Sequence, residues 1–339
     1  MPSSTSNSNE RLPSGPWGRT WLCALAVAGL LLGAYEGAWR ARGFEPSVVD
    51  SSGVWCLARG QVKSNDPNEV VLIGASRSRL GIDNETFAQV FGGHKPVQLS
   101  VDGFSCLPVL KQLSMDESFL GTVVCDVVPD HFFGSFNDFE LQEQYVQACE
   151  KQTLSASLEQ RLRLLVQTNL VSRLPGIAPS VLLRALATRW SLPKPYYLIT
   201  LPDRSARADF STCPDLPAQE EAWIDGMRSF HSQLTGQALD SRLDEINAMV
   251  DRIQSRGGHV VFVLFPISGP YRTLSEQTFP RTQFWDKLAA RTTALTIHFS
   301  DFPALSGFHC PEGSHLDHRD AVVFTKSLAE ILREKLRGQ

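Results

Sequence analysis

Two kinds of pattern alternate along this chain. Short apolar runs, of the length of buried strands, occur at Glu69 to Ile73, Pro96 to Val101, Gly121 to Val128, His259 to Phe265 and Leu295 to Phe299. Between them, apolar positions recur with helical spacing at Asn84 to Phe91, Leu107 to Leu113, Leu239 to Arg256, Gln283 to Arg291 and Arg319 to Arg337. The helix from Leu239 is stopped by Gly257-Gly258. Strands alternating with helices at this spacing predict an α/β domain built on a mainly parallel sheet, with right-handed crossovers and helices on both faces.

Two stretches depart from that rhythm. From about residue 140 to 234 the periods are helical, near Leu141 to Val171 and Val181 to Trp190, followed by a proline-containing loop from Pro193 to Pro217 in which no strand is predicted. This reads as a helical insertion that either caps a site or adds packing helices. At the other end, residues 1–16 are rich in Ser, Asn and Pro and read as a disordered tail.

Residues 17–39 are uncharged between Arg19 and Glu36, with Trp17, Trp21, Tyr35 and Trp39 placed like an aromatic belt. They are expected to form a transmembrane signal anchor. A cleaved signal peptide is the second reading, with a mediocre site at Leu32-Gly33-Ala34. A buried core helix is the third, disfavoured because the segment is apolar all round. Arg11 and Arg19 before the span balance Arg40 and Arg42 after it, so charge sets no orientation. Residues 40–68 are polar, with Gly and Pro, and read as a linker carrying Trp55 as a packing anchor, which leaves 69–339 as the globular domain.

Composition narrows the function. At 339 residues and 42% hydrophobic, the chain can bury a substantial core, and a net charge of −4 gives no basic field for nucleic acid. None of the seven cysteines has metal-ligand spacing, so a zinc site is not expected. Cys213 and Cys310, each before a proline, are the first choice for a disulfide.

Candidate chemistry sits at two distant places. The first strand stops at Gly74 and presents Ser76 at the strand-to-helix turn, where it reads as a nucleophile or, more plainly, as a helix cap. Arg77 and Arg79 beside it read first as solvated helix-start residues and second as groups that recognise an anion or carboxylate beside Ser76. Just before the last helix, Glu312 precedes His315 by three residues, which lets the carboxylate accept the Nδ1 proton and leaves Nε2 as a base. His318 competes with His315, Asp317 reads as the N-cap of the last helix, and Asp301 is an alternative acid.

Gly74-Ala75-Ser76 after the first strand, Gly103 after the second, and the acid-x-x-His loop before the last helix together resemble the SGNH hydrolase superfamily, in its membrane-anchored bacterial branch that includes polysaccharide O-acetylation proteins. The resemblance spans Glu69 to the C terminus apart from 140–234. It implies a flavodoxin-like three-layer α/β/α fold and acyl transfer on oxygen. By it, Ser76 corresponds to the nucleophile, His315 to the base, Glu312 to the acid, and the backbone N–H groups of Ser76 and Gly103 to oxyanion donors.

Three positions depart from the family's pattern. Ala75 replaces the usual Asp of Gly-Asp-Ser, and Glu312 stands where Asp is usual. Where the third block supplies an Asn donor, this chain reads Cys125-Asp126-Val127-Val128-Pro129-Asp130, and Asn137 is the nearest substitute. The implied protein is a serine esterase or O-acyltransferase acting on small acyl esters of a small molecule or glycan, without cofactor. It would be held in the inner membrane by one span, with the catalytic domain in the periplasm and a membrane-bound acyl-donor protein as a possible partner. The alternative is a catalytically inactive SGNH-fold protein that binds glycans or serves as a scaffold.

Overall fold

The computed structural model describes residues 16–135, 140–188, 192–229 and 233–337. The chain divides into two compact units, one made of Met1–Phe44 and Leu170–Pro193, the other of Glu45–Asn169 and Lys194–Gln339.

The second unit is α/β. Strands β1 (Val70–Ile73), β2 (Val97–Gln98), β3 (Thr122–Asp126), β6 (His259–Leu264) and β7 (Leu295–His298) form a five-stranded sheet in the order β2-β1-β3-β6-β7. Every pairing in it is parallel. All residues of β1 and β3 are buried. Because neighbouring strand residues point to opposite faces, the sheet is covered on both. The helix His318–Arg337 packs with Asn84–Phe91 and Ser76–Gly81, and the helix Gly236–Gln254 packs with Leu107–Met115 and β6. Val71, Leu72, Val123, Val261, Phe262, Phe324 and Leu328 are among the fully buried residues of one continuous core.

Three expectations are corrected here. The segment read as a linker carries the helix Ser52–Arg59, capped by the Ser51 hydroxyl, which accepts from Val54 N at 3.4 Å. Trp55 in it is fully buried and donates its indole N–H to the Leu99 carbonyl at 2.8 Å. The apolar run Val54–Ala58 is short and stands between polar segments, and all five of its residues are buried. The disulfide joins Cys56 to Cys149, while Cys213 and Cys310 are free thiols. Burial pushes the Cys310 thiol up to about 12, and its Sγ lies 3.2 Å from the Pro266 carbonyl. Finally, the stretch from Pro193 to Pro217 contains an antiparallel pair, β4 (Leu198–Thr200) and β5 (Ala206–Ala208).

The first unit holds the N-terminal helix Trp17–Arg40, which is long and apolar enough to cross a membrane. A small cluster of Trp39, Phe44, Val171, Leu174 and Ile177 forms its own core.

Candidate active site

The site grows from the carboxyl end of β1. Gly74 adopts φ +144°, and a Cβ there would lie 2.3 Å from Asp126 Cβ, so only glycine lets the chain turn beside β3. Ser76 then opens the helix Ser76–Gly81. Its hydroxyl does not cap that helix. It meets His315 Nε2 at 2.7 Å.

His315 is presented by the loop before the last helix. Gly313 adopts φ +89°, and a Cβ on it would come within 2.7 Å of Tyr271 Cβ. The loop is braced from behind, since Ser268 N donates to the Gly313 carbonyl at 2.9 Å and Cys310 N donates to Ser268 Oγ at 2.8 Å. Glu312 Oε1 lies 3.0 Å from His315 Nδ1 and also accepts the backbone N–H groups of Ser314 and His315. One carboxylate oxygen thus shapes the loop and holds the imidazole. An acceptor at Nδ1 keeps the proton there and leaves Nε2 free to accept the Ser76 proton. The Trp223 ring leans over the imidazole with centroids 5.1 Å apart.

Asp126, at the end of β3, plays a part not foreseen from the sequence. Its Oδ2 accepts from Ala75 N at 3.3 Å and Ser78 N at 3.2 Å, so the carboxylate holds the turn that carries Ser76. Its Oδ1 is buried without a hydrogen-bond partner among the described residues. Burial pushes the carboxyl up to about 6, and the Arg77 guanidinium and these two amides offset only part of that.

Arg77 and Arg79 are buried, not solvated. Arg77 donates to Tyr271 Oη at 2.6 Å and to Ser314 Oγ at 3.3 Å, tying the serine helix to the histidine loop. Arg79 binds Asp102 at 2.6 Å and the Arg204 carbonyl at 2.9 Å. The only sequence signal was proximity to Ser76, because the partners lie far away along the chain.

The remaining candidates are placed as follows. Gly103 lines, with Ser76, Asp130, Trp223, Met227 and Tyr271, a cleft of about 150 Å³. Asn137 lies outside the described residues. Asp301 is bound by both ends of the Arg281 guanidinium, at 2.5 and 2.8 Å, and the acid that meets His315 is Glu312. His318 meets the Ala208 carbonyl, and Asp317 accepts from Arg319 N at 3.1 Å as the cap of the last helix. Among the described residues, the group of acid and imidazole side chains close enough to share an ion is Asp209, Asp317 and His318, and Arg319 bridges both of its carboxylates. A larger cavity of about 390 Å³, walled by Phe279, Trp285 and His298, includes none of Ser76, Glu312 and His315.

The arrangement is a hydroxyl, an imidazole and a carboxylate in series, with Ser76 lining a small cleft and His315 and Glu312 buried behind it, an order that lets a base accept the proton of a hydroxyl. No family model matches the chain, and a search of curated proteins returns no match.

Proposed function

We propose that the chain is a membrane-anchored serine esterase or O-acyltransferase of SGNH type, acting on small acyl esters, with a glycan as the favoured carrier. The observation that carries this reading is the continuous series Ser76 Oγ, His315 Nε2, His315 Nδ1 and Glu312 Oε1, with separations of 2.7 and 3.0 Å. The order of the five strands, with β2 outside β1 and β3 leading to β6 and β7, supports the flavodoxin-like fold that the resemblance implies.

In this reading His315 Nε2 takes the Ser76 proton as Oγ attacks the ester carbonyl. The carbonyl oxygen becomes an oxyanion, met by the backbone N–H groups of Ser76 and Gly103. As the tetrahedral species collapses, His315 returns the proton to the leaving alcohol and the acyl group stays on Ser76. Water or a sugar hydroxyl then gives its proton to His315, attacks the acyl-serine, and restores the free hydroxyl of Ser76. Glu312 holds the imidazole and stabilises its charged form. A cleft of about 150 Å³ favours a small acyl group over a long one.

Export of the domain is part of the proposal. It is supported by the candidate span Trp17–Arg40 and by the Cys56–Cys149 disulfide, which persists in an oxidising compartment. Together they favour an inner-membrane protein with a periplasmic domain.

The second reading, a non-catalytic SGNH-fold glycan-binding or scaffold protein, is favoured by one observation. Asp126, where the resemblance expects the block containing a side-chain oxyanion donor, accepts hydrogen bonds from two backbone amides. Hydrolysis of 4-nitrophenyl acetate by the full chain in lipid nanodiscs separates the two. The enzyme reading expects turnover that Ser76→Ala and His315→Ala each abolish, and turnover unchanged by both substitutions sinks it.

A further inference from the structure

The first unit contains a helix whose apolar side is only half covered. The span Trp17–Arg40 has 24 residues. At about 1.5 Å per residue that is about 36 Å, slightly more than a hydrocarbon core of about 30 Å. Its last turn, carrying Tyr35, Glu36, Trp39 and Arg40, therefore falls at the level of the lipid headgroups if the helix spans.

That turn is strapped to the segment that follows Leu170. Glu36 accepts from Val171 N at 2.8 Å and from Ser172 N at 2.9 Å, and the Tyr35 hydroxyl donates to the Ile177 carbonyl. Trp39 packs on Phe44 with ring centroids 5.0 Å apart, beside Val171, Leu174 and Ile177. The chain then enters the helix Pro179–Thr188. Leu182 packs against the Trp39 cluster, whereas Leu183 and Leu186 are 69% and 41% exposed. Helical spacing puts Leu182, Leu183 and Leu186 on one side and Thr188 on the other. Arg173 and Arg184 are exposed on the same short stretch.

We infer that Pro179–Thr188 is an interfacial foot, lying in the headgroup region of the same bilayer that Trp17–Arg40 crosses, with Leu183 and Leu186 in the acyl-chain boundary and the two arginines at lipid phosphates. Lipid is the occupant because Leu182 ties this helix to the exit of the span, where an apolar face beside cationic side chains meets acyl chains and phosphate. The foot fixes the height and tilt of its unit on the membrane, which a lone span does not. This inference rests on the span reading and is independent of the chemistry at Ser76.

The test is spin-label depth in the full chain, carrying Cys23→Ser and Cys213→Ser and reconstituted in phosphatidylethanolamine–phosphatidylglycerol vesicles. Single labels are placed through Leu25→Cys in the span, Leu183→Cys in the foot and Thr188→Cys on its far side. The expected result is that labels at 25 and 183 collide several-fold more with dissolved oxygen than with a water-soluble nickel chelate, while the label at 188 shows the reverse. Nickel access at 183 equal to that at 188 overturns the foot while leaving the span intact. Shielding of 183 from both reagents also overturns it, because a second copy or another protein then covers the face. Nickel access at 25 overturns the span and the foot together.

Discussion

Two buried carboxylates flank the contact between Ser76 and His315, and they serve different halves of the site. Glu312 accepts backbone N–H groups of its own loop and also holds His315 Nδ1. Asp126 accepts backbone N–H groups of the Ser76 turn, while the serine hydroxyl meets the imidazole. Glu312 therefore touches both its loop and the imidazole, whereas Asp126 hydrogen-bonds the serine turn and reaches His315 only through its charge. The difference predicts that neutralising Glu312 damages chemistry first and that neutralising Asp126 alters stability first.

The largest expected effects come from the backbone that each carboxylate braces. Gly74→Ala forces a Cβ to 2.3 Å from Asp126 Cβ, and Gly313→Ala forces one to 2.7 Å from Tyr271 Cβ, each at a positive φ. Each should cost several kcal/mol, on the order of 3 or more, in thermal or denaturant unfolding. Unfolding curves that overlay the wild type contradict this geometry.

Next comes Glu312→Gln, which keeps an acceptor of similar shape but removes the charge behind the imidazole. In the esterase reading it lowers ester turnover by on the order of 10³- to 10⁴-fold, with unfolding changed far less. Equal losses in activity and stability mean that Glu312 is a structural acid only.

Asp126→Asn tests the other side. A carboxyl raised to about 6 in the folded chain contributes stability that is fully present below the unfolded value near 3.8 and is lost as pH rises through 6. Relative to wild type, the Asn variant should therefore gain on the order of 3 kcal/mol between pH 3.5 and pH 7.5. A wild-type-minus-variant difference that does not change with pH removes the argument.

Outside the site, the test is reduction of Cys56–Cys149, which joins the Trp55 helix to Glu140–Glu150 across a separation of 93 residues. It should lower stability by about 2–4 kcal/mol, partly offset by the buried Trp55 that remains. An unchanged melting temperature in reductant means that packing alone holds the helix.

How legible these features were in the sequence follows from how local their causes are. The strands β1, β3, β6 and β7 and the helices Asn84–Phe91 and His318–Arg337 were readable because short apolar runs and helical periods are local. Ser76 was readable because it lies where a strand gives way to a helix, and the Glu312-x-x-His315 loop because its acid and imidazole are close together along the chain. The burial of Arg77 was not, because its partners Tyr271 and Ser314 belong to segments distant along the chain. The role of Asp126 was hidden for the same reason, and it shows in the structure as two amides facing one carboxylate. Trp55 was noticed as an anchor, yet the apolar run Val54–Ala58 around it was too short to mark a helix, and cysteine pairing depended on spatial approach that prolines after Cys213 and Cys310 did not report.

In the esterase reading, Ser76 is a nucleophile activated by His315. Its most direct test is reaction of the full chain in nanodiscs with a fluorophosphonate, followed by peptide mapping of the adduct. The account predicts one adduct, on Ser76, formed at a rate that falls by orders of magnitude in His315→Ala. No adduct, an adduct on another residue, or labelling of Ser76 undiminished in His315→Ala contradicts it.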